Sequence, residues 1–421
     1  MNLSNVQNSL TYRVTAERND NLRLRLITEM STKFAIQSMF QDFPLIYWNP
    51  KFHKNPVKFR PIAGSKNKVL CPMEKVIGKI LKHFTNHFIA YCRVCERQSG
   101  HKHYFSIKNS SEMRTILSNL NGKATSLDAF DFSNLYTNFE HDEIIERLSW
   151  LIDLLLDNAG KERIVVHKND HNVAYIDRDV DSNECWTFNR IELKNAISFL
   201  IKNTYVRFGS LILQQIKGIP MGSIPAPDMA NLALAVDEFR FVKRLLQGKA
   251  YPILKKLDHM ARYLDDVAIP NFPDFTNHVG DIYPSTLTLS KSNESDTQNI
   301  PYLDLSISVM DQNFEIKVYC KTDDYDFNVI SLPFLESNVS VEMCYYVYYG
   351  QVLRFLRICT QLEYFKERCI FLTNLLKRRN YCKKKLSVKL NQVLLRNKKD
   401  WFKFSRFISV RELMMKVVYE A

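Results

Sequence analysis

The sequence predicts an α+β core followed by an all-α, basic segment. Three observations predict it. Periodicity and turn residues read in the order strand, helices, hairpin, helix, hairpin, hairpin, then helices. The 421 residues are 46% hydrophobic and 24% charged, an ordinary globular balance with room for two or three domains, and the 11 glycines exclude a collagen-like or glycine-linker architecture. The net charge of +13 sits in the last sixth of the chain: residues 351–421 carry 18 Lys/Arg against 5 Asp/Glu, the first 350 carry 40 against 40. A one-sided basic segment is the footprint of a polyanion partner, most often nucleic acid. The bland alternative is a solvated tail, but this segment is also apolar and helix-patterned, so it should fold.

The elements follow in chain order. Residues 21–41 read as a mixed polar and apolar helix. Residues 42–62, DFPLIYWNPKFHKNPVKFRPI, are Pro-punctuated, basic and aromatic, which predicts strands and turns. Residues 72–90 and 111–120 read as helices. TSLDAFDF, 125–132, is a short apolar strand with two Asp, and Asp142 opens a helix to about 157. Residues 161–190 are polar and irregular, a surface insertion or hairpin. Residues 191–204 alternate like an amphipathic helix, and 205–216 form a hairpin turning at Gly209-Ser210. A Gly/Pro-rich loop, 217–227, leads into a helix begun by Pro227 and Asp228 that reaches about 246. Two apolar runs broken by Asp265-Asp266 occupy 260–269. A further hairpin, 302–319, turns near Asp311-Gln312-Asn313, and helices dominate from about 340.

No apolar run reaches the 18 or more residues of a membrane span, and MNLSNVQNSL lacks the apolar core of a secretory signal. Nine scattered cysteines suit a reducing, intracellular compartment, nuclear or cytoplasmic. Cys92-x-x-Cys95 followed by His101 and His103 has zinc-ligand residue types, although His-x-His is not the usual spacing; buried thiols are the alternative.

The chemistry is carried by MARYLDDVAIP, 260–270. Asp265 and Asp266 at a hairpin tip place like charges together, which disfavours ionisation of both unless a cation compensates. Hard Mg²⁺ prefers such oxygens and keeps waters and phosphates as further ligands. SLDAFDFSNLYTNF adds Asp128 and Asp131 from a second segment, as two-metal phosphoryl transfer requires. Asp131 suits that role; Asp128, three residues earlier, points to the other strand face and reads as structural.

These segments resemble the palm domain of reverse transcriptases. Asp131 followed by Tyr136, the loop KGIPMGSIPAPDMAN at 217–231, and Tyr263-Leu264-Asp265-Asp266 stand in that family's order. DFSNLYTN, GIPMGSIPAP, RYLDD and PYLDLSISV look most like Penelope-like and related retroelement polymerases. KFHKNPVKFRPIAGS resembles the fingers, and YYVYYGQVLRFLRICTQLEYFKERCIFLTNLL the segment after the palm, so the likeness spans about residues 45–390. The resemblance implies a right-hand polymerase: N-terminal segment and fingers (1–125), palm with an antiparallel sheet (126–320), and a basic helical thumb (321–421).

The resemblance further implies an RNA-directed DNA polymerase that extends a primer 3′-hydroxyl with dNTPs. Its metal ligands would be Asp131 and Asp265, with Asp266 an auxiliary catalytic carboxylate and two Mg²⁺ (or Mn²⁺) as cofactor. Tyr136 would lie under the sugar and reject a 2′-hydroxyl. Gly218, Gly222 and Ser223 would border the nascent base pair, glycine allowing close approach to a base or phosphate. The loop departs from the family pattern at Ile224, where many relatives have Pro, and at Lys217, where many have Gln.

Arg60 would grip the triphosphate, with Lys51 and Lys54 nearby, and Lys291 would protonate the leaving pyrophosphate. Lys321, Arg354, Arg357, Lys377, Arg378, Arg379, Lys383, Lys384 and Lys385 would hold the RNA or DNA template-primer. KRRNYCKKK also suits a nuclear localisation signal. No nuclease, integrase or RNase H segment is legible, so priming would need a separate nuclease, a pre-existing 3′ end, or a protein or self-priming route. An RNA-dependent RNA polymerase and an inactive nucleic-acid-binding relative are the competing readings.

Overall fold

The structure is a computed structural model. It describes residues 11–52, 56–64, 68–177, 183–292, 299–325, 327 and 329–420. In chain order come β1 (Tyr12–Val14), α1 (Asn19–Phe34), β2 (Ile46–Lys51), β3 (Lys58–Ala63), α2 (Cys71–Ser99), α3 (Ser110–Ser118), β4 (Leu127–Ser133), α4 (Leu135–Asn138), α5 (His141–Ala159), β5 (Arg163–His167), β6 (Val173–Ile176), β7 (Cys185–Asn189), α6 (Arg190–Lys202), β8 (Tyr205–Phe208) and β9 (Leu211–Gln215). Then follow α7 (Ala226–Gln247), α8 (Tyr251–Leu257), β10 (Ala261–Tyr263), β11 (Asp266–Pro270), α9 (Val279–Ile282), β12 (Thr288–Lys291), β13 (Ile300–Tyr302), β14 (Leu305–Met310), β15 (Asn313–Val318), α10 (Val341–Ile358), α11 (Leu362–Lys377), α12 (Lys383–Arg396), α13 (Lys398–Ser405) and α14 (Val410–Met414).

The chain divides into two compact units. The first takes in Met1–Ser106, Asp131–Val267 and Asp274–Ser290; the second takes in Ile107–Phe130, Ala268–Pro273 and Lys291–Ala421. The central helix of the first unit is α7, in which every residue from Leu232 to Phe239 is buried. A helix apolar on all sides belongs in a core, and α2 and α5 pack on it. α7 starts as its sequence foretells, with Pro in the first turn. α6 starts on a capping box, in which the Asn189 side chain accepts from the Glu192 N–H and the Glu192 side chain accepts from the Asn189 N–H.

The hairpin β2–β3 pairs Ile46 with Ala63 and Asn49 with Arg60. Alternation puts Ile46, Trp48 and Ala63 on one face, and they pack on Val206 and Leu213. Tyr47, Asn49, Lys51 and Arg60 share the opposite face. Within 161–190, read from sequence as a polar surface insertion or hairpin, the described residues form a three-stranded antiparallel sheet, β6-β5-β7. Polar composition concealed it, because few of its residues are buried: Ile164, Val166 and Phe188 on one face, Val165 and Cys185 on the other. The sheet carrying the acidic segments has the order β10-β11-β4-β12.

In the second unit β13-β14-β15 form an antiparallel sheet. Its β14–β15 turn falls at Asp311-Gln312, both at positive φ (48° and 60°), the conformation of a two-residue type I′ hairpin. Helices α10, α11 and α3 pack on β15, and α12 packs on α10. Among the described residues, no helix is long and apolar enough to cross a membrane.

Candidate active site

Within β4 only Asp131 is exposed. Asp128, on the other face, is buried, and its carboxylate meets Lys291 Nζ at 2.7 Å. Lys291, the candidate proton donor to pyrophosphate, is thus ion-paired with Asp128, which lies on the strand face opposite Asp131.

Asp265 and Asp266 follow from a tight turn. β10 and β11 are joined by Leu264-Asp265 alone, and Leu264 adopts φ 53°. A left-handed conformation costs an ordinary L-residue about 1–2 kcal/mol, and such strain clusters at functional sites. The Phe132 N–H donates to the Asp265 carbonyl at 3.0 Å. The hairpin tip is thereby sewn to the residue after Asp131, and neighbouring strands lie only about 4.8 Å apart.

Tyr136 lies on the one-turn helix α4, which Asn134 opens from the left-handed region (φ 59°). Burial pushes its phenol up to about 12; the Asp265 carboxylate adds to that rise and the Arg60 guanidinium opposes it. The Asp228 carboxylate also acts on it, and burial holds Asp228 itself above the usual carboxylate range. Ring, metal-type carboxylate and phosphate-type cation therefore sit within electrostatic reach of one another. Lys51 shares the hairpin face of Arg60; Lys54 lies outside the described residues.

The loop before α7 is held to the site by its backbone. Gly218 N–H donates to Phe139 O and Ile219 N–H to Tyr136 O, both at 2.8 Å, while His141 Nε2 donates to Gly218 O at 2.8 Å. Met221 O accepts from Ala63 N–H at 2.8 Å. Gly218 and Gly222 are at φ 83° and 108°, and a Cβ there would fall on the carbonyl oxygens of Tyr136 and Ala63 respectively. The glycines are required for close approach to the chain's own backbone. Ser223 is buried beneath the loop.

Two features escaped the sequence reading. Lys68 and Glu74 form a buried pair at 2.7 Å, and Glu74 also accepts from the Ile224 N–H at 3.3 Å, steadying the loop at its departure from the family pattern. Arg262, fully buried, pairs with buried Glu238 at 2.5 Å. Only its place beside the DD pair could have drawn attention to it.

Several cations expected to hold nucleic acid are tied within the second unit. Arg354 pairs with Asp304 at 2.8 Å and Arg357 with Asp400 at 3.2 Å. Lys377 bonds Asn374 at 3.2 Å. Arg379 is buried, donates to the Leu332 carbonyl and stacks over Phe334; that commitment removes it from any nucleic-acid surface. Lys321, Arg378, Lys383, Lys384 and Lys385 are exposed.

Among the described residues no three or more His, Cys, Asp or Glu converge as a ready-made metal cage. The cysteine–histidine segment is accounted for otherwise: His101 Nδ1 pairs with Asp258 at 2.9 Å, His103 Nδ1 bonds His101 O at 2.7 Å, and Cys92 and Cys95 are buried on α2. Mg²⁺ needs no cage, since one or two carboxylates with waters and substrate phosphates suffice. Asp131, Asp265 and Asp266 offer oxygen donors of that type.

No family model and no curated protein matches this sequence. Solved structures do resemble it. Telomerase from Candida albicans, in complex with a TWJ fragment of telomeric RNA, aligns with 99% of this chain and 71% of its own at 12% identity and a TM-score of 0.55. Telomerase from Candida tropicalis, with the same type of RNA fragment, aligns with 95% of this chain and 61% of its own at 11% identity and a TM-score of 0.44. The BmCPV RNA-dependent RNA polymerase at elongation state covers 75% of this chain and 25% of its own at 12% identity and a TM-score of 0.40. At such identity the first of these likenesses speaks for the fold alone. The chain has the mixed helix and antiparallel-sheet fold of the right-hand polymerases.

Proposed function

We propose that this chain is a nucleic-acid polymerase, and specifically an RNA-directed DNA polymerase that extends a primer 3′-hydroxyl with dNTPs. One observation carries the reading: a strained two-residue turn holds Asp265 beside the strand of Asp131, and the Tyr136 phenol feels both Asp265 and Arg60. Asp131 and Asp265 would hold two Mg²⁺, for which Mn²⁺ is a substitute; such ions neutralise phosphate charge and favour the ionised form of the attacking hydroxyl. Arg60, with Lys51 on its hairpin face, would bind the triphosphate. The Tyr136 ring would exclude a 2′-hydroxyl. The new bond joins the primer 3′-oxygen to the α-phosphorus, and the bond to the β-phosphate breaks to release pyrophosphate.

Lys321, Arg378, Lys383, Lys384 and Lys385 would neutralise template-primer phosphates, making binding fall steeply with salt. The motif wording supports retroelement replication of the Penelope-like or a related type, with a separate nuclease supplying the target cut. Primer extension on an RNA template with Mg²⁺, comparing dNTPs with rNTPs and wild type with Asp265→Asn, tests the reading. Extension with dNTPs that the substitution abolishes is the expected result. Extension with rNTPs alone would replace it by an RNA polymerase. Salt-sensitive duplex binding without extension at any metal concentration would replace it by a binding protein.

A further inference from the structure

We infer that Arg262 is a positioning residue for the metal-binding turn, acting through the Leu264 carbonyl. This rests on the polymerase reading above. The guanidinium is fully buried, and each of its five N–H groups has an acceptor. Nε and Nη2 donate to Glu238 Oε1 and Oε2 at 2.5 and 3.1 Å. Nη2 also reaches the Asn231 carbonyl at 3.3 Å, and Nη1 reaches Asn231 Oδ1 at 2.9 Å. The last donor, on Nη1, goes to Leu264 O at 3.2 Å.

The acceptors are themselves fixed. Tyr283 OH donates to Glu238 Oε1 at 2.8 Å, and Asn231 Nδ2 donates to Tyr104 OH at 3.2 Å. The Arg262 backbone is anchored as well, its N–H donating to Phe105 O at 3.0 Å. Burial disfavours the charged guanidinium, and the Glu238 carboxylate more than offsets it.

The consequence is geometric. The Leu264 carbonyl belongs to the same planar peptide as the Asp265 N–H. Fixing it fixes the plane from which the Asp265 side chain departs, while Phe132 N–H fixes the carbonyl on the other side of Asp265. The clamp holds the leucine at φ 53°, a conformation that a free turn would relax. A charge that is wholly used inside the fold, at a site needing a negative field, also avoids neutralising the carboxylates it positions. Lysine in its place retains the charge but cannot satisfy five acceptors.

The test uses the full chain with Arg262→Lys and Tyr283→Phe. Thermal unfolding reports folding, Mn²⁺ titration by electron paramagnetic resonance reports metal affinity, and primer extension reports the Mg²⁺ dependence of kcat and KM for dNTP. Loss of a group that orients a metal ligand typically weakens metal affinity about 10–100-fold. The expected result is a cooperatively folded Arg262→Lys with Mn²⁺ affinity down by about tenfold or more, a raised Mg²⁺ half-saturation, and recovery of kcat at high Mn²⁺. Tyr283→Phe should move the same way by a smaller factor. Wild-type Mn²⁺ affinity in folded Arg262→Lys overturns the inference. If that variant does not fold cooperatively, wild-type Mn²⁺ affinity in Tyr283→Phe overturns it. Absence of extension by the wild-type protein would refute the polymerase reading instead, and the Mn²⁺ titration would still decide the role of Arg262.

Discussion

Each unit of the molecule contains a Tyr-Leu-Asp turn, and the two end differently. Tyr263-Leu264-Asp265 closes β10–β11, and Tyr302-Leu303-Asp304 closes β13–β14. In both the leucine is left-handed, at φ 53° and 56°. In both the aspartate carbonyl accepts an N–H, from Phe132 at 3.0 Å and from Tyr319 at 2.9 Å. The carboxylates then diverge. Asp304 is neutralised by Arg354 at 2.8 Å. Asp265 has no ion-pair partner among the described residues, because the nearby cation Arg262 is consumed by Glu238, Asn231 and Leu264 O. The residue in the place of Arg262 in the second turn is Pro301, which has no side-chain donor. The same local sequence thus builds the same hairpin twice, and the surrounding charges decide whether its carboxylate is structural or available.

The largest test of this contrast is a pair of substitutions. Asp265→Asn should lower the primer-extension rate by about a thousandfold or more, the scale of several kcal/mol at ~1.4 per factor of ten, while leaving the melting temperature near wild type. Asp304→Asn should leave kcat intact and cost the fold under about 1 kcal/mol, since its ion pair is one-third exposed. Equal loss of activity in both would break the comparison.

Next in size is Gly218→Ala. Its Cβ would strike the Tyr136 carbonyl oxygen from a left-handed backbone, so destabilisation by about 2 kcal/mol or more is expected in chemical unfolding. The substitution should also displace Tyr136 and lower the rate.

Tyr136→Ala removes the phenol on which Asp265 and Arg60 act electrostatically. The ratio of kcat/KM for dNTP over rNTP should fall by roughly tenfold or more, the discrimination one misfitting group commands in a pocket. An unchanged ratio would mean that the sugar is sensed elsewhere.

The smallest effects sharpen the comparison most. Glycine accepts a left-handed φ without penalty, so Leu264→Gly and Leu303→Gly should each change stability by only about 1 kcal/mol. Only Leu264→Gly should loosen the Asp265 turn and, on the proposed two-metal reading, raise the Mg²⁺ half-saturation in extension assays.

Much of the fold was legible because local chemistry dictated it. Pro227 and the apolar surround of α7, Gly209-Ser210 in the β8–β9 turn, and the Asp311-Gln312 turn behave as their residue types require. The β6-β5-β7 sheet was not legible, since its few buried residues are divided between both strand faces among polar neighbours and give no clean alternation. Among the candidate site residues, Asp131 and Asp265 were marked by residue type, and Tyr136 by the family resemblance. The partners of Lys291 and Arg379 were not legible, because Asp128 and the Leu332 carbonyl are 163 and 47 positions away.

The sequence by itself determined the order of elements, the paired carboxylates, the glycines and the basic C-terminal segment, because each follows from short-range sterics or from composition. Only the tertiary structure decided which charges remain available. Arg354, Arg357 and Arg379 lie in the same basic run as Lys383–Lys385, yet the first three are tied to the chain's own acceptors. Whether a charge is spent or exposed depends on which distant group burial brings within about 4 Å of it, where their interaction is strongest, and no local pattern encodes that distance.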